Sequence, residues 1–299
     1  MSLINYTQCP VCKSADISKC LSAKDFTVTQ EVFDIWHCDQ CTHRFTQNIP
    51  DANSIGKYYQ SAAYVSHSDT NEGLINRLYH LVRNYTLQTK RRLIEKESGL
   101  LNGNLLDVGA GVGAFTNEMK QSGWNITGLE PDETARKNAN EKYQLQFQLP
   151  ENLYALPENN FDVITMWHVL EHVHELHGYI ETFHRILKAD GTLIIAVPNY
   201  TSYDASCYKE YWAAYDVPRH LYHFSPKSME TLAQLKGFTV KAFKPMWFDS
   251  FYVSMLSEQY KNGKGNIIKA FFAGLISNIK SIGNAKNCSS VIYVMKKKV

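Results

Sequence analysis

The stretch Leu105-Leu106-Asp107-Val108-Gly109-Ala110-Gly111-Val112-Gly113 constrains this chain more than any other. Its apolar start reads as a buried strand. The glycines that follow let the backbone turn sharply and approach a ligand with no Cβ in the way. Residues 113–121 have helical length, so free N–H groups at the helix start point toward the same spot. Apolar runs at 105–108, 126–129, 161–166 and 192–197 alternate with helix-length segments at 113–121, 132–143 and 176–187. Strands apolar on both faces, taking turns with helices, predict a parallel sheet covered on both sides. The glycine spacing is G-x-G-x-G, not the G-x-G-x-x-G of dinucleotide sites. Asp107 sits just ahead of the turn, where a carboxylate suits an ammonium group better than a pyrophosphate. Glu130 ends the next strand, 23 positions after Asp107, placed to accept hydrogen bonds from both ribose hydroxyls.

Two C-x-x-C pairs precede this region, Cys9/Cys12 and Cys38/Cys41. Each pair can set two thiolates about a tight turn, and two pairs supply the tetrahedral set that zinc prefers. The 25 residues between Cys12 and Cys38 demand a long hairpin, with 28–36 as one arm. His43 is either a substitute ligand or an ordinary packing residue. Four protein ligands leave no open position, so the metal is expected to be structural. Cys20, Cys207 and Cys288 are scattered, which fits a reducing, cytoplasmic setting better than a disulfide scaffold. Between the cysteines and the glycine turn, Leu74, Leu78, Leu81, Val82, Tyr85, Leu93 and Ile94 recur at helical steps over 73–97, closed by Ser98 and Gly99.

The glycine stretch resembles motif I of the Rossmann-like S-adenosylmethionine-dependent methyltransferases. The likeness continues through Phe161-Asp162-Val163-Ile164-Thr165-Met166-Trp167-His168-Val169-Leu170-Glu171-His172-Val173, similar to their fourth strand and its loop, and Gly191-Thr192-Leu193-Ile194-Ile195-Ala196-Val197-Pro198-Asn199, similar to the fifth. Asp216-Val217-Pro218-Arg219-His220-Leu221-Tyr222-His223-Phe224-Ser225-Pro226 resembles a loop of a bacterial branch with an N-terminal zinc ribbon, a Tyr-Tyr segment (Tyr58-Tyr59) and a connecting helix. The resemblance implies a doubly wound, mostly parallel seven-stranded α/β sheet. It also implies a zinc-ribbon module at 1–50, a helical connector at 51–100 and a methyltransferase domain at 101–299, with substrate-side loop and helices at 199–285. It places Asp107, Gly109 and Gly111 against the methionine part, Gly113 among the cofactor-binding residues, Glu130 on the ribose, Asn152 or Leu153 at the adenine, and His168 near the sulfonium.

Methyl transfer from a sulfonium is an in-line displacement that requires alignment above all. A base is needed only for a protonated acceptor, and a near-neutral histidine suits that task. Candidates fall in two loops at strand ends: His168, Glu171 and His172; then Tyr215, Asp216, Arg219, His220 and His223. Arg219 is the residue best suited to grip an anionic acceptor, and His168, His220 and His223 are the catalytic candidates. Glu171 and His172 equally suit a purely structural role, and His223 equally suits support for the helix that Ser225 and Pro226 open.

Composition narrows the acceptor. Net charge is +2 over 299 residues. Residues 1–50 set Lys13, Lys19, Lys24 and Arg44 against Asp16, Asp25, Glu31, Asp34 and Asp39. That balance lacks the basic footprint of RNA binding. A small acceptor is therefore expected; the resemblance to zinc-bearing relatives that C-methylate sugars and to ubiquinone-type O-methyltransferases implies a sugar, glycan, lipid or quinone precursor, with ribosomal RNA or a non-catalytic cofactor-binding scaffold as alternatives. No acidic residue follows Glu258, while eight lysines do. Between them the apolar segment 267–282 either packs on its own protein or makes peripheral membrane contact; its sparse polar face favours packing. Residues 291–295 read as a last strand.

Overall fold

A computed structural model describes residues 2–60 and 74–298. The chain divides into two compact units, one built from Met1–Val65, His168–His177 and Ile195–Tyr293, the other from Ser66–Trp167, Gly178–Ile194 and Val294–Val299.

A six-stranded, mostly parallel sheet carries the α/β fold. Its strand order is Phe238–Pro245, Ser290–Lys297, Leu187–Pro198, Phe161–Trp167, Asn104–Val108, Asn125–Leu129. Asn104–Val108 pairs in parallel with both its neighbours, Asp107 standing opposite Gly128 on one side and Thr165 on the other. Leu105, Leu106, Val163 and Ile164 are all fully buried, as consecutive residues must be when both faces of a sheet are covered. The helices Ala114–Gln121, Glu133–Tyr143 and Leu176–Ile186 match the expected helical segments, and Asp132 caps the second by accepting from the Ala135 N–H at 2.7 Å.

The expected seventh strand is missing among the described residues. Its place is taken by a single parallel bridge, Leu129 to Gln148, with Glu130 N donating to Gln148 O and Gln148 N to Gly128 O, both at 2.9 Å. Pro150, which lacks an N–H and opens the 3-10 turn Pro150–Ala155, stops the pairing there.

The unit that begins the chain holds a four-stranded antiparallel sheet ordered Tyr222–His223, Arg44–Thr46, Val32–Cys38, Ile17–Lys24. The long hairpin between the cysteine pairs is present, but its second arm starts at Val32. Asp25 holds the connection as a turn by accepting from the N–H groups of Thr27, Val28 and Thr29. This unit's core joins Phe33, Ile35 and Tyr58 to Tyr200, Tyr208, Trp212 and Tyr215.

The connecting helix spans Leu74–Ser98. Gly73, where its pattern starts, and the side chains of 74–83 lie outside the described residues. Ile94 is buried as its spacing implies, whereas Tyr85, assigned to the same apolar stripe, is 59% exposed. No helix among the described residues is long and apolar enough to cross a membrane.

Candidate active site and metal centre

The glycine turn forms as its residues dictate. Gly109, Gly111 and Gly113 all have positive φ (74°, 53° and 80°), a region that residues with a Cβ enter at a cost. The N–H groups of Gly109 and Ala110 donate to Leu129 O at 2.8 and 2.9 Å, tying the turn to the next strand. The three glycines differ in surroundings. A Cβ on Gly113 would meet Leu145, Ala139 and Phe147 at 3.0–3.2 Å, whereas one on Gly111 would meet nothing within 4 Å. Gly113 is thus needed for packing, and Gly111 borders open space. Glu130 receives the Gly111 N–H on one oxygen and the Asp132 N–H on the other, both at 2.8 Å. Burial pushes its carboxyl up, with those two N–H groups opposing. Each oxygen keeps a further lone pair for a ligand hydroxyl.

Asp107 faces the core. It is 2% exposed, and its two oxygens accept from Thr165 Oγ1 at 2.7 Å and Thr116 Oγ1 at 3.0 Å. Burial pushes its carboxyl up to about 6 against the pull of those hydroxyls. Trp167, absent from the expected site, ends the strand Phe161–Trp167. Its ring lies edge-on to Phe115 and 4.2 Å from Lys90 Nζ, and its buried Nε1 has no hydrogen-bond partner among the described residues. Leu153 is fully buried and Asn152 exposed on the 3-10 turn. Open space at Gly111, a carboxylate beside it and an orphaned indole N–H fit a polar nucleoside ligand.

The other unit gathers the histidines. His168 adopts φ 58°. Its Nε2 lies 2.8 Å from Asp249 Oδ2 and its Nδ1 3.5 Å from Glu171 Oε1. Burial alone would lower the ring's pKa, but the Asp249 carboxylate and then Glu171 outweigh it and raise the pKa to about 10. His168 is therefore an imidazolium at neutral pH and no general base. His172 is its opposite. Burial, then the neighbouring His220, push it down to about 4, and its Nδ1 lies 3.1 Å from Tyr59 Oη and 3.0 Å from Arg219 O. Glu171 is fully buried, and both its oxygens lack a hydrogen-bond partner among the described residues. Burial opposes its ionisation, yet the surrounding histidines hold its pKa below the usual carboxylate value. One Glu171 oxygen and one nitrogen each from His172 and His220 lie within 4.8 Å of one another, a set that a divalent cation can bridge.

The structure corrects two of the expected roles. Arg219, the proposed grip for an anionic acceptor, is 1% exposed and turned inward. Its guanidinium donates to Asp216 Oδ1 at 2.5 Å, Asp25 Oδ1 at 3.0 Å and Tyr58 O at 2.8 Å. With two carboxylates and a carbonyl around it, it fastens the 216–220 loop to the first strands. His223, 3% exposed, pairs through Nε2 with Thr46 Oγ1 at 3.1 Å inside the antiparallel sheet; burial holds its pKa well below the usual value. His220 remains beside the cluster, its ring 4.5 Å from that of His172 and its Nδ1 2.8 Å from Ala214 O. Asp249 had no signal in the sequence, standing 81 positions from its histidine.

The four cysteine sulfurs of Cys9, Cys12, Cys38 and Cys41 lie within 4.8 Å of one another, with Cys9–Cys41 and Cys12–Cys38 each at 3.6 Å. A tetrahedral ion with Zn–S bonds of about 2.3 Å needs sulfurs roughly 3.8 Å apart, so the cage fits. The two turns match: Lys13 N donates to Cys9 O and Thr42 N to Cys38 O, with Lys13 and Thr42 both at positive φ. His43 packs against Phe45, Tyr222 and Phe224, neutral because burial lowers it to about 3, and is no ligand.

A strand, a glycine turn into a helix and an acidic residue ending the next strand define an α/β nucleoside-binding protein. The chain belongs to the methyltransferase domain family, whose profile matches residues 75–242, more than half of its length. A ubiquinone biosynthesis O-methyltransferase from Actinobacillus pleuropneumoniae is 34% identical over 118 residues, 36% of this chain and 50% of the relative. Its namesake from Vibrio cholerae is 30% identical over 161 residues, 52% of this chain and 62% of the relative. The chain thus spans about half the length of the curated relatives it matches. Among solved structures, geranyl diphosphate C-methyltransferase from Streptomyces coelicolor A3(2) superposes with a TM-score of 0.50 at 12% identity, over 80% of this chain and 90% of that one. At that identity the likeness is one of fold.

Proposed function

We propose that this protein is an S-adenosylmethionine-dependent methyltransferase acting on oxygen or carbon of a small molecule, a sugar, glycan, lipid or quinone precursor, and that Cys9, Cys12, Cys38 and Cys41 hold a structural zinc ion in a module at 1–50. The observation that carries this is the pairing of a left-handed Gly111 in open space with the Glu130 carboxylate that receives its N–H. Bound S-adenosylmethionine supplies an electrophilic methyl group. Gly109 and Gly111 let the backbone approach it, Glu130 accepts from the ribose hydroxyls, and Asp107 stiffens the strand end beneath them. The kinship to ubiquinone biosynthesis O-methyltransferases supports a hydroxyl acceptor. For such an acceptor, His172 is the candidate base because it is held neutral, although burial also weakens it, while cationic His168 lies 3.5 Å from Glu171.

Calorimetry with S-adenosylhomocysteine and zinc-loaded protein tests the cofactor. Binding that Glu130→Gln weakens about tenfold is expected, and absence of heat with wild-type protein rejects the proposal. Labelled donor with fractionated cell extract then identifies the acceptor class. Label in RNA in place of a metabolite would favour the ribosomal alternative, and no transfer despite binding would favour a scaffold.

A further inference from the structure

The tail helix Ile267–Ser281 is turned inside out relative to the packing expected of it. Its buried residues are Ala270, Ala273, Gly274, Ser277 and Ser281, all small. A Cβ on Gly274 would come within 3.0 Å of Phe251 Cα, so the glycine allows close contact with helix Asp249–Asn262. Ser277 Oγ donates to buried Asp204 at 2.7 Å, and Asn278 bonds Ser250 Oγ and Trp247 O. The helix is thereby fixed by its small face, and its large apolar residues point outward. Ile267 is 75% exposed, Ile268 70%, Phe271 52%, Phe272 55%, Ile279 54% and the following Ile282 71%. At roughly 100° per residue, these six, with Ile276, cover one side of the helix, opposite the small residues.

We propose that this face docks on an anionic lipid bilayer, lying in its interface. Charge selects that occupant over a second copy of the chain. Lys261 and Lys264, which precede the helix in sequence, and Lys269 and Lys280 within it are exposed, and none of them pairs with a carboxylate among the described residues. No acidic residue follows Glu258, which is itself buried. Lys269 falls at the border between the apolar side and the buried side, where a lysine stem lies along hydrocarbon and its ammonium reaches a phosphate, whereas Lys280 Nζ lies 4.6 Å over the Tyr203 ring. A second copy would bring the same lysines against these. The helix is about 22 Å long, short of the roughly 30 Å hydrocarbon core, so it lies on the bilayer and does not span it. The docking is independent of methyl transfer, although a surface-bound enzyme would meet a lipid-linked acceptor directly.

The test is sedimentation of the full zinc-loaded chain with vesicles of equimolar phosphatidylcholine and phosphatidylglycerol, and with phosphatidylcholine alone. Retention on the anionic vesicles is expected, with little on the neutral ones. Ile268→Glu combined with Phe272→Glu should lower retention roughly tenfold or more, and Lys264→Gln with Lys269→Gln should weaken it and its salt sensitivity. These positions are solvent-facing, so circular dichroism should remain unchanged. The proposal falls if wild-type protein stays in the supernatant with anionic vesicles, if both variants are retained as well as wild type, or if retention is equal on neutral vesicles. It also falls if light scattering shows a dimer that Ile268→Glu/Phe272→Glu converts to monomer, which would make this face a self-interface.

Discussion

The glycine turn after Val108 and the histidine cluster around Glu171 both present polar groups at the ends of strands, by opposite means. In the turn, backbone geometry does the work: three left-handed glycines, N–H groups tied to Leu129 O, and one carboxylate a single strand away. In the cluster, side chains set one another's charge: Asp249 and Glu171 keep His168 protonated, and the histidines around it keep Glu171 ionised. A site built mainly from backbone depends on few side chains, here chiefly Glu130. A site built from mutual ionisation changes with every partner, which makes it tunable and fragile.

The largest test of this contrast is the metal. Replacing Cys38 by serine should remove one zinc per chain by elemental analysis and lower the thermal midpoint by on the order of 10 °C. S-adenosylhomocysteine affinity should stay within about threefold of wild type, because the turn needs no residue of the cysteine module. Loss of that affinity together with the zinc would show that the two regions are not separable.

Next comes Arg219→Met. It strands Asp25 and Asp216, both held below the usual carboxylate pKa with Arg219 among the opposing forces to burial. Breaking a buried pair from one side costs about 3–5 kcal/mol, measurable by urea unfolding. A near-neutral result would return Arg219 to the list of acceptor-binding residues.

His168→Gln should change the pH dependence of stability more than its size at one pH. A folded pKa raised to about 10 contributes stability that is fully present below the histidine's ordinary value near 6.5 and lost as pH rises through about 10. The variant should flatten that window in melts taken between those limits, and an unchanged profile would mean that Asp249 does not hold the proton. Asp107→Asn is the smallest effect. A carboxyl raised to about 6 gives stability present below about 4 and lost as pH rises through 6. The amide should therefore be near neutral or slightly stabilising at pH 7, and should leave cofactor affinity unchanged. Weakened binding would restore Asp107 to the ligand.

Much of the fold was legible because it rests on local pattern. The four apolar runs and the helices between them stand within a few residues of where periodicity put them, and Ser225 caps Pro226–Leu235 with a full capping box. Of the candidate site, the glycine turn and the cysteine cage were readable from spacing alone. The inward turn of Arg219 was not, because its partner Asp25 lies 194 positions away. The missing seventh strand came down to Pro150 ending a pairing that nothing else marked.

The sequence by itself determined where the backbone must bend, cross left-handed space or bring thiolates together, since glycine, proline, caps and short cysteine spacings act within a few residues. Tertiary structure alone decided which charges meet and which faces stay wet. His168 keeps its proton because the Asp249 carboxylate faces it, and the tail helix chose its small face for packing against Phe251. Ionisation and burial depend on neighbours across the fold, and those neighbours are set by how distant segments close-pack.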